Sequence, residues 1–408
     1  MFKYEVKKVF SKNSSKIAMV LLLLLIGVTC WFAMDVYFVN ERGEKETGYR
    51  AVRQLREAQK KWTGILDEKK LQSVIKENAS INHTPEARSA NITENDIAYG
   101  WKQGISEIRK LLNCSYAEEF RSYDYYRADG LVPKDAASFY ENRTTLLKNW
   151  LSGEAKNQFS DTEKRYLIQQ YENLDTPFFY DYMKGWTQAM EYAPTIIMIT
   201  IFILSFLVSG IFSNEFSWKT DAVFFTTEYG RNKATAAKIK AGISIVTILY
   251  WTTILLYSQI VLFYLGTDGG TAPVQADSSG WKCFYHITIW QKYLLTIVGG
   301  YIGCLFIALL TMLISAKTNS SVLAVMTPFV LVFVPSFLDN IKSDIVRRTL
   351  GLLPDRMLQV NMALNYFDLY DLGDKVTGAI PILFVLYGLL TMLLIPVTYQ
   401  TYRHRQVL

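Results

Sequence analysis

The residues able to do chemistry are few in this sequence and poorly spaced for it. Its four cysteines, Cys30, Cys114, Cys283 and Cys304, form no CxxC pair, and only His83, His286 and His404 stand beside them. A zinc site built from paired ligands is therefore not expected. There is no G-x-x-x-x-G-K-[ST] loop to cradle a nucleotide, no G-x-S-x-G elbow to present a serine, and no H-E-x-x-H helix. The expectation is a chain that is not an enzyme, with no catalytic residue, bound cofactor or metal of its own. Cys30 and Cys304 lie in apolar runs and read as packing residues. Cys114 and Cys283 fall on the same predicted side of a membrane, which leaves a disulfide between them open.

The spacing with the most to say is Glu215-Phe216-Ser217-Trp218-Lys219-Thr220-Asp221-Ala222-Val223-Phe224-Phe225-Thr226-Thr227-Glu228-Tyr229-Gly230-Arg231. Lys219 to Thr227 has room for about two helical turns. A helix there turns Phe224 and Phe225 toward a membrane surface or a partner's groove, and Gly230 supplies a stop. The residues alone leave a membrane-surface linker and a docking element equally open.

The elements that must position this segment are set by hydropathy. The chain has 408 residues, half of them apolar, and its charges are segregated from long charge-free runs, as in a polytopic membrane protein carrying a hydrophilic domain. Six runs reach spanning length: Ile17–Phe38, Pro194–Ser213, Ala241–Leu265, Tyr293–Ser315, Ser321–Leu338 and Ile380–Tyr399. The fifth is short and carries Pro328 and Pro335, so a break or a re-entrant piece is expected there. The first has a basic leader like a signal peptide, but its apolar run is long and no A-x-A site follows, so a retained anchor is expected. No Asp, Glu, Lys or Arg falls near the centre of a span, which argues against an ion-coupled carrier.

The net charge of +6 lies in short segments beside the spans, which sets orientation and does not imply a nucleic-acid partner. Lys3, Lys7, Lys8, Lys12 and Lys16, then Lys219, Arg231, Lys233, Lys238 and Lys240, then Lys317, Arg403 and Arg405 share one side, predicted cytoplasmic with both termini. Against this, Lys342, Arg347, Arg348, Arg356 and Lys375 stand on the predicted outside among six acids, Asp339, Asp344, Asp355, Asp368, Asp371 and Asp374. The expected organisation is an amphipathic leader over 1–16, a first span over 17–38, an extracellular domain over 39–190, and the remaining spans over 191–408. The last part holds a short helix near 219–228 and a candidate re-entrant element near 339–377.

The domain reads as mainly α. Leu55, Trp62, Leu66 and Ile75 recur near helical spacing, Thr84-Pro85-Glu86 looks like a helix start, and Ser160 with Glu163 has capping-box spacing. Its tyrosines, and the cluster Phe178, Phe179, Tyr180, Tyr182 and Trp186, read as core packing and an interfacial belt before they read as a substrate-capturing surface. N-x-[ST] sequons at Asn78, Asn91, Asn113 and Asn142 carry no signal in a bacterial source, which is the source expected.

The segment after the second span resembles the permease subunits of type-2 ABC exporters. In that family an acidic residue ends the second span, a coupling helix follows with a pattern close to T-x-x-x-L-L-x-T-x-x-G-R, and the next span opens with A-K-x-x-A-G. The matching residues are Glu215, Thr220, Phe224, Phe225, Thr227, Gly230, Arg231, Ala237, Lys238, Ala241 and Gly242. The family often has glycine where this chain has Lys219, and aliphatic residues where it has Phe224 and Phe225. The leader MFKYEVKKVF, with Phe2, Val6 and Phe10 on one face, and the segment LGLLPDRMLQV with Pro354 fit the family's layout. The resemblance covers the membrane portion and says little of Asn40–Met190.

It implies a multi-pass protein of a bacterial cell membrane, with a second permease chain and a dimer of ABC ATPase subunits as partners. ATP and magnesium would be bound by the ATPase, with Glu215 and Arg231 orienting the coupling helix and Phe224, Phe225 and Tyr229 making the contact. An amphipathic substrate, an antimicrobial peptide or a lipid, fits the class. A membrane-anchored receptor or scaffold, with the external domain as its ligand module, is the competing expectation.

Overall fold

The computed structural model describes residues 1–338, 344–373 and 375–405. Helix makes up 72% of the described residues, whose strands form three short antiparallel pairs, so the chain is all-α in class. Leader helix α1 (Phe2–Phe10) leads into α2 (Asn13–Ala33). The apolar helices α9 (Lys184–Ser217), α11 (Thr235–Leu265, entered through a π-helical turn at Gly230–Ala234), α12 (Ile289–Thr318) and α17 (Ala379–Arg403) follow later in the chain. With α2, these make five helices long and apolar enough to cross a bilayer, as in a multi-pass membrane protein. The fifth expected span is one helix, α13 (Ser321–Leu338), with Pro328 and Pro335 inside it. Its apolar run, Ser321–Pro335, is the shortest of the set.

Several boundaries differ from the sequence reading. The first apolar helix ends at Ala33, not Phe38, because Tyr37–Val39 (β1) pairs with Lys45–Thr47 (β2). The helix expected through residues 50–78 is broken into α3 (Gly48–Lys60) and α4 (Glu68–Asn82). Gly64 takes φ +130°, and Gly64–Ile65 (β3) pairs with Phe179–Tyr180 (β4), so strand pairing overrides the helical spacing. Thr84-Pro85-Glu86 opens only a 3-10 turn, Glu86–Arg88. The capping box is present: Ser160 Oγ accepts from Glu163 N at 3.2 Å and Glu163 Oε2 accepts from Ser160 N at 2.8 Å. It starts α8 (Asp161–Glu172), which follows α5 (Ile92–Lys102), α6 (Ser106–Ser115) and α7 (Phe139–Ser152) in the inserted domain. Of the aromatic cluster, Phe178, Tyr180 and Tyr182 are buried core and Phe179 is exposed.

The domain does not hang on one tether. Arg143, buried, donates to the carbonyls of Trp281 and Cys283 at 2.9 Å each, and its guanidinium lies 3.7 Å from the centroid of Tyr171. Lys60 meets Asp268 at 2.6 Å. These contacts fasten the domain to the α11–α12 connection.

A second fastening runs through α14 (Asp344–Leu350), where Arg348 meets Glu163 at 2.9 Å and Arg347 meets Asp368 at 3.5 Å. Of the cations that ran against the expected orientation, Arg347 and Arg348 are thus matched by acids. The candidate re-entrant region also contains α15 (Pro354–Leu358), α16 (Val360–Ala363) and the hairpin Leu369–Asp371 (β5) with Val376–Gly378 (β6). Residues 339–343 and 374 of that expectation, including Asp339, Lys342 and Asp374, lie outside the described residues. α15 and α16 lie against α12 where Gly299 and Gly303 leave room, since a Cβ there would meet Val360, Met357 and Leu358.

Candidate functional site at the α9–α11 turn

The turn is built on a buried charge cluster. Lys238, one turn into α11, is 1% exposed, and its Nζ donates to Glu215 Oε1 at 2.6 Å, Glu5 Oε2 at 3.0 Å and the Ile211 carbonyl at 3.0 Å. Lys8 Nζ completes a quartet, 2.9 Å from Glu215 and 3.3 Å from Glu5. Two carboxylates face two ammonium groups, and every charge has a partner. Such a cluster offsets its own desolvation while complete, and removing one member of a buried pair costs about 3–5 kcal/mol. The partners Glu215 and Glu5 hold the Lys8 ammonium above the usual lysine range even though burial opposes it. The leader therefore buries Glu5 and Val9, while Phe2 is exposed and Val6 and Phe10 are only half-buried. The face expected from Phe2, Val6 and Phe10 is corrected by the charges that α9 and α11 present to it.

Glu215 also fixes the entry to the short helix. Thr220 N donates to the Glu215 carbonyl at 2.8 Å and Thr220 Oγ1 to Glu215 Oε2 at 3.1 Å. Lys219 takes φ +53°, a left-handed conformation that glycine adopts without steric cost. The helix itself, α10, is shorter than expected, Asp221–Thr226.

The two phenylalanines are placed otherwise than expected. Phe225 is 4% exposed, packed 5.1 Å from Tyr402 and 6.1 Å from Phe216. Phe224 is half-buried, 5.9 Å from Tyr402 and 5.2 Å from Lys238 Nζ. Both rings bind α10 to the chain's own α17, Phe225 also to α9 and Phe224 to Lys238 of α11, and Phe225 is buried. The exposed apolar residues of the turn are Val223 (69%), Trp218 (50%) and Tyr229 (40%). At the far end, Thr227 Oγ1 donates to the Phe224 carbonyl at 2.8 Å. Gly230 has no room for a side chain because a Cβ would collide with that same carbonyl oxygen. Arg231 lies 4.9 Å over Phe225 and donates to the carbonyls of Arg403 and Arg405 at 2.9 Å each, capping the end of α17. Arg405 in turn donates to the Lys317 carbonyl at 2.8 Å.

The residues matched by spacing are thus gathered at one end of the helices, with the leader and the end of α17. Sequence reasoning missed Glu5, Lys8 and Tyr402. The i, i+3 spacing of Glu5 and Lys8 was the available signal for the first two, and nothing local marks Tyr402. Cys114 and Cys283 are both free thiols, so the disulfide left open by the sequence is not formed. Cys283 is buried among Val274, Met357 and Val360, while Cys114 packs against a different apolar cluster. Burial pushes the Cys114 thiol up to about 11. Among the described residues no group of three or more His, Cys, Asp and Glu is placed to hold a metal ion. No protein-family model matches this sequence, and no curated protein matches it.

Proposed function

We propose that the chain is the membrane subunit of an ATP-driven exporter, coupling nucleotide hydrolysis in a separate ATPase to movement of an amphipathic substrate. The observation that carries this reading is the clamped turn at α10. A short helix joins two apolar helices, is clamped beside the buried quartet and by Phe225 and Arg231, and has Val223 on it and Trp218 and Tyr229 at its flanks facing outward. A force on such a helix passes directly into α9, α11 and α17, whereas a surface linker needs no such clamp. In this reading the turn, the leader and the end of α17 are cytoplasmic, the inserted domain is extracellular, and the permease works as a dimer.

The test is co-purification in mild detergent. A stoichiometric ATPase of roughly 25–35 kDa, the size of one compact nucleotide-binding domain with an extension, is expected with wild type and is lost in Val223→Asp/Tyr229→Asp. These positions are exposed, so the variant keeps the fold. Absence of any ATPase from folded wild-type protein overturns the proposal. The second reading, a membrane-anchored receptor, draws on a different feature, a large cleft in the inserted domain.

A further inference from the structure

A cleft of about 1090 Å³ opens between the β1–β2 hairpin and helices α3, α4 and α5. It lies in the inserted domain, away from the α10 turn, and its size suits a drug-sized or peptide ligand. Its lining combines two kinds of group. Apolar surface comes from Trp62, the exposed Trp101 and Ile81. Hydrogen-bond acceptors come from Glu46, Gln54, Glu77 and Glu41.

Two of these acceptor atoms lack a hydrogen bond among the described residues, Gln54 Oε1 and Glu46 Oε2, both buried. Glu46 Oε2 has the exposed Arg50 at 3.3 Å, and Glu46 Oε1 accepts from Asn40 Nδ2 at 3.1 Å. Glu41 and Glu77 make no ion pair among the described residues. A buried acceptor left without a donor costs about 1–3 kcal/mol, and a ligand that brings N–H groups relieves it. The cleft's bases, Arg42, Arg50 and Lys61, are exposed, and its carboxylates, the half-buried Glu46 and the exposed Glu41, Glu44 and Glu77, outnumber them four to three. An indole face beside carboxylates is the arrangement that takes an organic cation, by cation–π attraction and charge-assisted hydrogen bonds together.

We infer that this cleft is a binding site for an organic cation that carries an apolar group, its ammonium or guanidinium directed at Gln54, Glu46 and Glu77 and its apolar part against Trp62 and Trp101. Two sources share that chemistry, a basic amphipathic peptide and a small aryl-alkylamine. The site stands whether or not the chain works with an ATPase.

The test uses the full chain in nanodiscs of neutral lipid and measures binding by calorimetry. The probes are a short lysine–leucine peptide, its glutamate–leucine counterpart, and phenethylammonium. Wild type is expected to bind the lysine peptide, and the glutamate peptide is expected to bind at least tenfold more weakly. Glu77→Gln and Trp101→Ala, both at exposed positions, are each expected to weaken the cationic probe by about tenfold, the effect of losing one close charge or aromatic contact. If phenethylammonium also binds and shows the same losses, the ligand is a small amine. If only the peptide binds, the ligand is a peptide. Equal binding of the two peptides, or binding of the cationic probes that neither substitution changes, overturns the assignment, as does no binding of either cationic probe.

Discussion

Two buried cations, at opposite ends of the helices, are matched in different ways. At the α10 end, Lys238 is held by two carboxylates and a carbonyl. At the domain end, Arg143 has no carboxylate partner among the described residues. It donates to two backbone carbonyls and stacks on Tyr171. An ammonium is a compact, strongly hydrated charge that needs ionic partners once buried, whereas a guanidinium is planar, weakly hydrated and content with carbonyls and an aromatic face. The lysine cluster therefore joins three helices mainly through side chains, with one backbone carbonyl, that of Ile211. The arginine instead pins a loop by its backbone. The first is a junction whose parts can move as one, and the second is a latch that holds an irregular segment in shape.

The largest expected effect separates these two modes. Lys238→Met leaves Glu5 and Glu215 buried without their central cation and is expected to destabilise the protein by about 3–5 kcal/mol. Adding Glu215→Gln should restore a large part, read as the thermal unfolding midpoint in detergent. If the single variant unfolds with wild type, the quartet is not a junction. Next, Arg143→Met removes charge-assisted bonds and leaves the Trp281 carbonyl unpaired, for an expected loss of about 1.5–3 kcal/mol. Arg143→Lys should fail to rescue it, because lysine cannot stack on Tyr171 while reaching both carbonyls. Rescue by lysine would erase the contrast drawn here.

The smallest effect is in pH dependence, and its sign differs at the two ends. Lys8 at the α10 end has its proton held more tightly in the folded state. Its contribution is complete below the unfolded lysine value of about 10.4 and fades as pH rises through the folded value. In the domain, Asp129 is held below the usual carboxylate range, against its burial, by Asn78, Asn82 and Arg109. Its contribution is complete above the unfolded value of about 3.9 and is lost as pH falls through the folded value. Midpoints measured across pH should show Lys8→Gln flattening only the alkaline limb and Asp129→Asn only the acid limb. A variant that flattens the other limb would break the assignment of each limb to its end.

Local chemistry made part of this fold legible. The Ser160–Glu163 box marked a helix start because both bonds lie within one turn. Gly230 was singled out as a stop, but its reason is the approach of the Phe224 carbonyl, which spacing cannot reveal. Trp62 and Leu66 kept helical spacing and are nevertheless outside helix, because β3 found its partner at Phe179–Tyr180, far along the chain. Phe224 and Phe225 looked like a docking pair because the ring of α17 that covers them, Tyr402, comes from the end of the sequence.

By itself the sequence determined the all-α class, the apolar helices, the hydrophilic helical stretch between the first two of them and the gathering of Glu215, Thr220, Gly230 and Arg231 in one turn. These follow from hydropathy and from interactions between residues a few positions apart, which any reading along the chain can see. Only the tertiary structure decided which face of the leader is buried, that Lys238 meets Glu5, that Phe225 turns inward, and that the domain holds a cleft into which carboxylates and two tryptophans are gathered. Each depends on groups brought together from distant segments, and burial sets the cost of leaving any one of them unmatched.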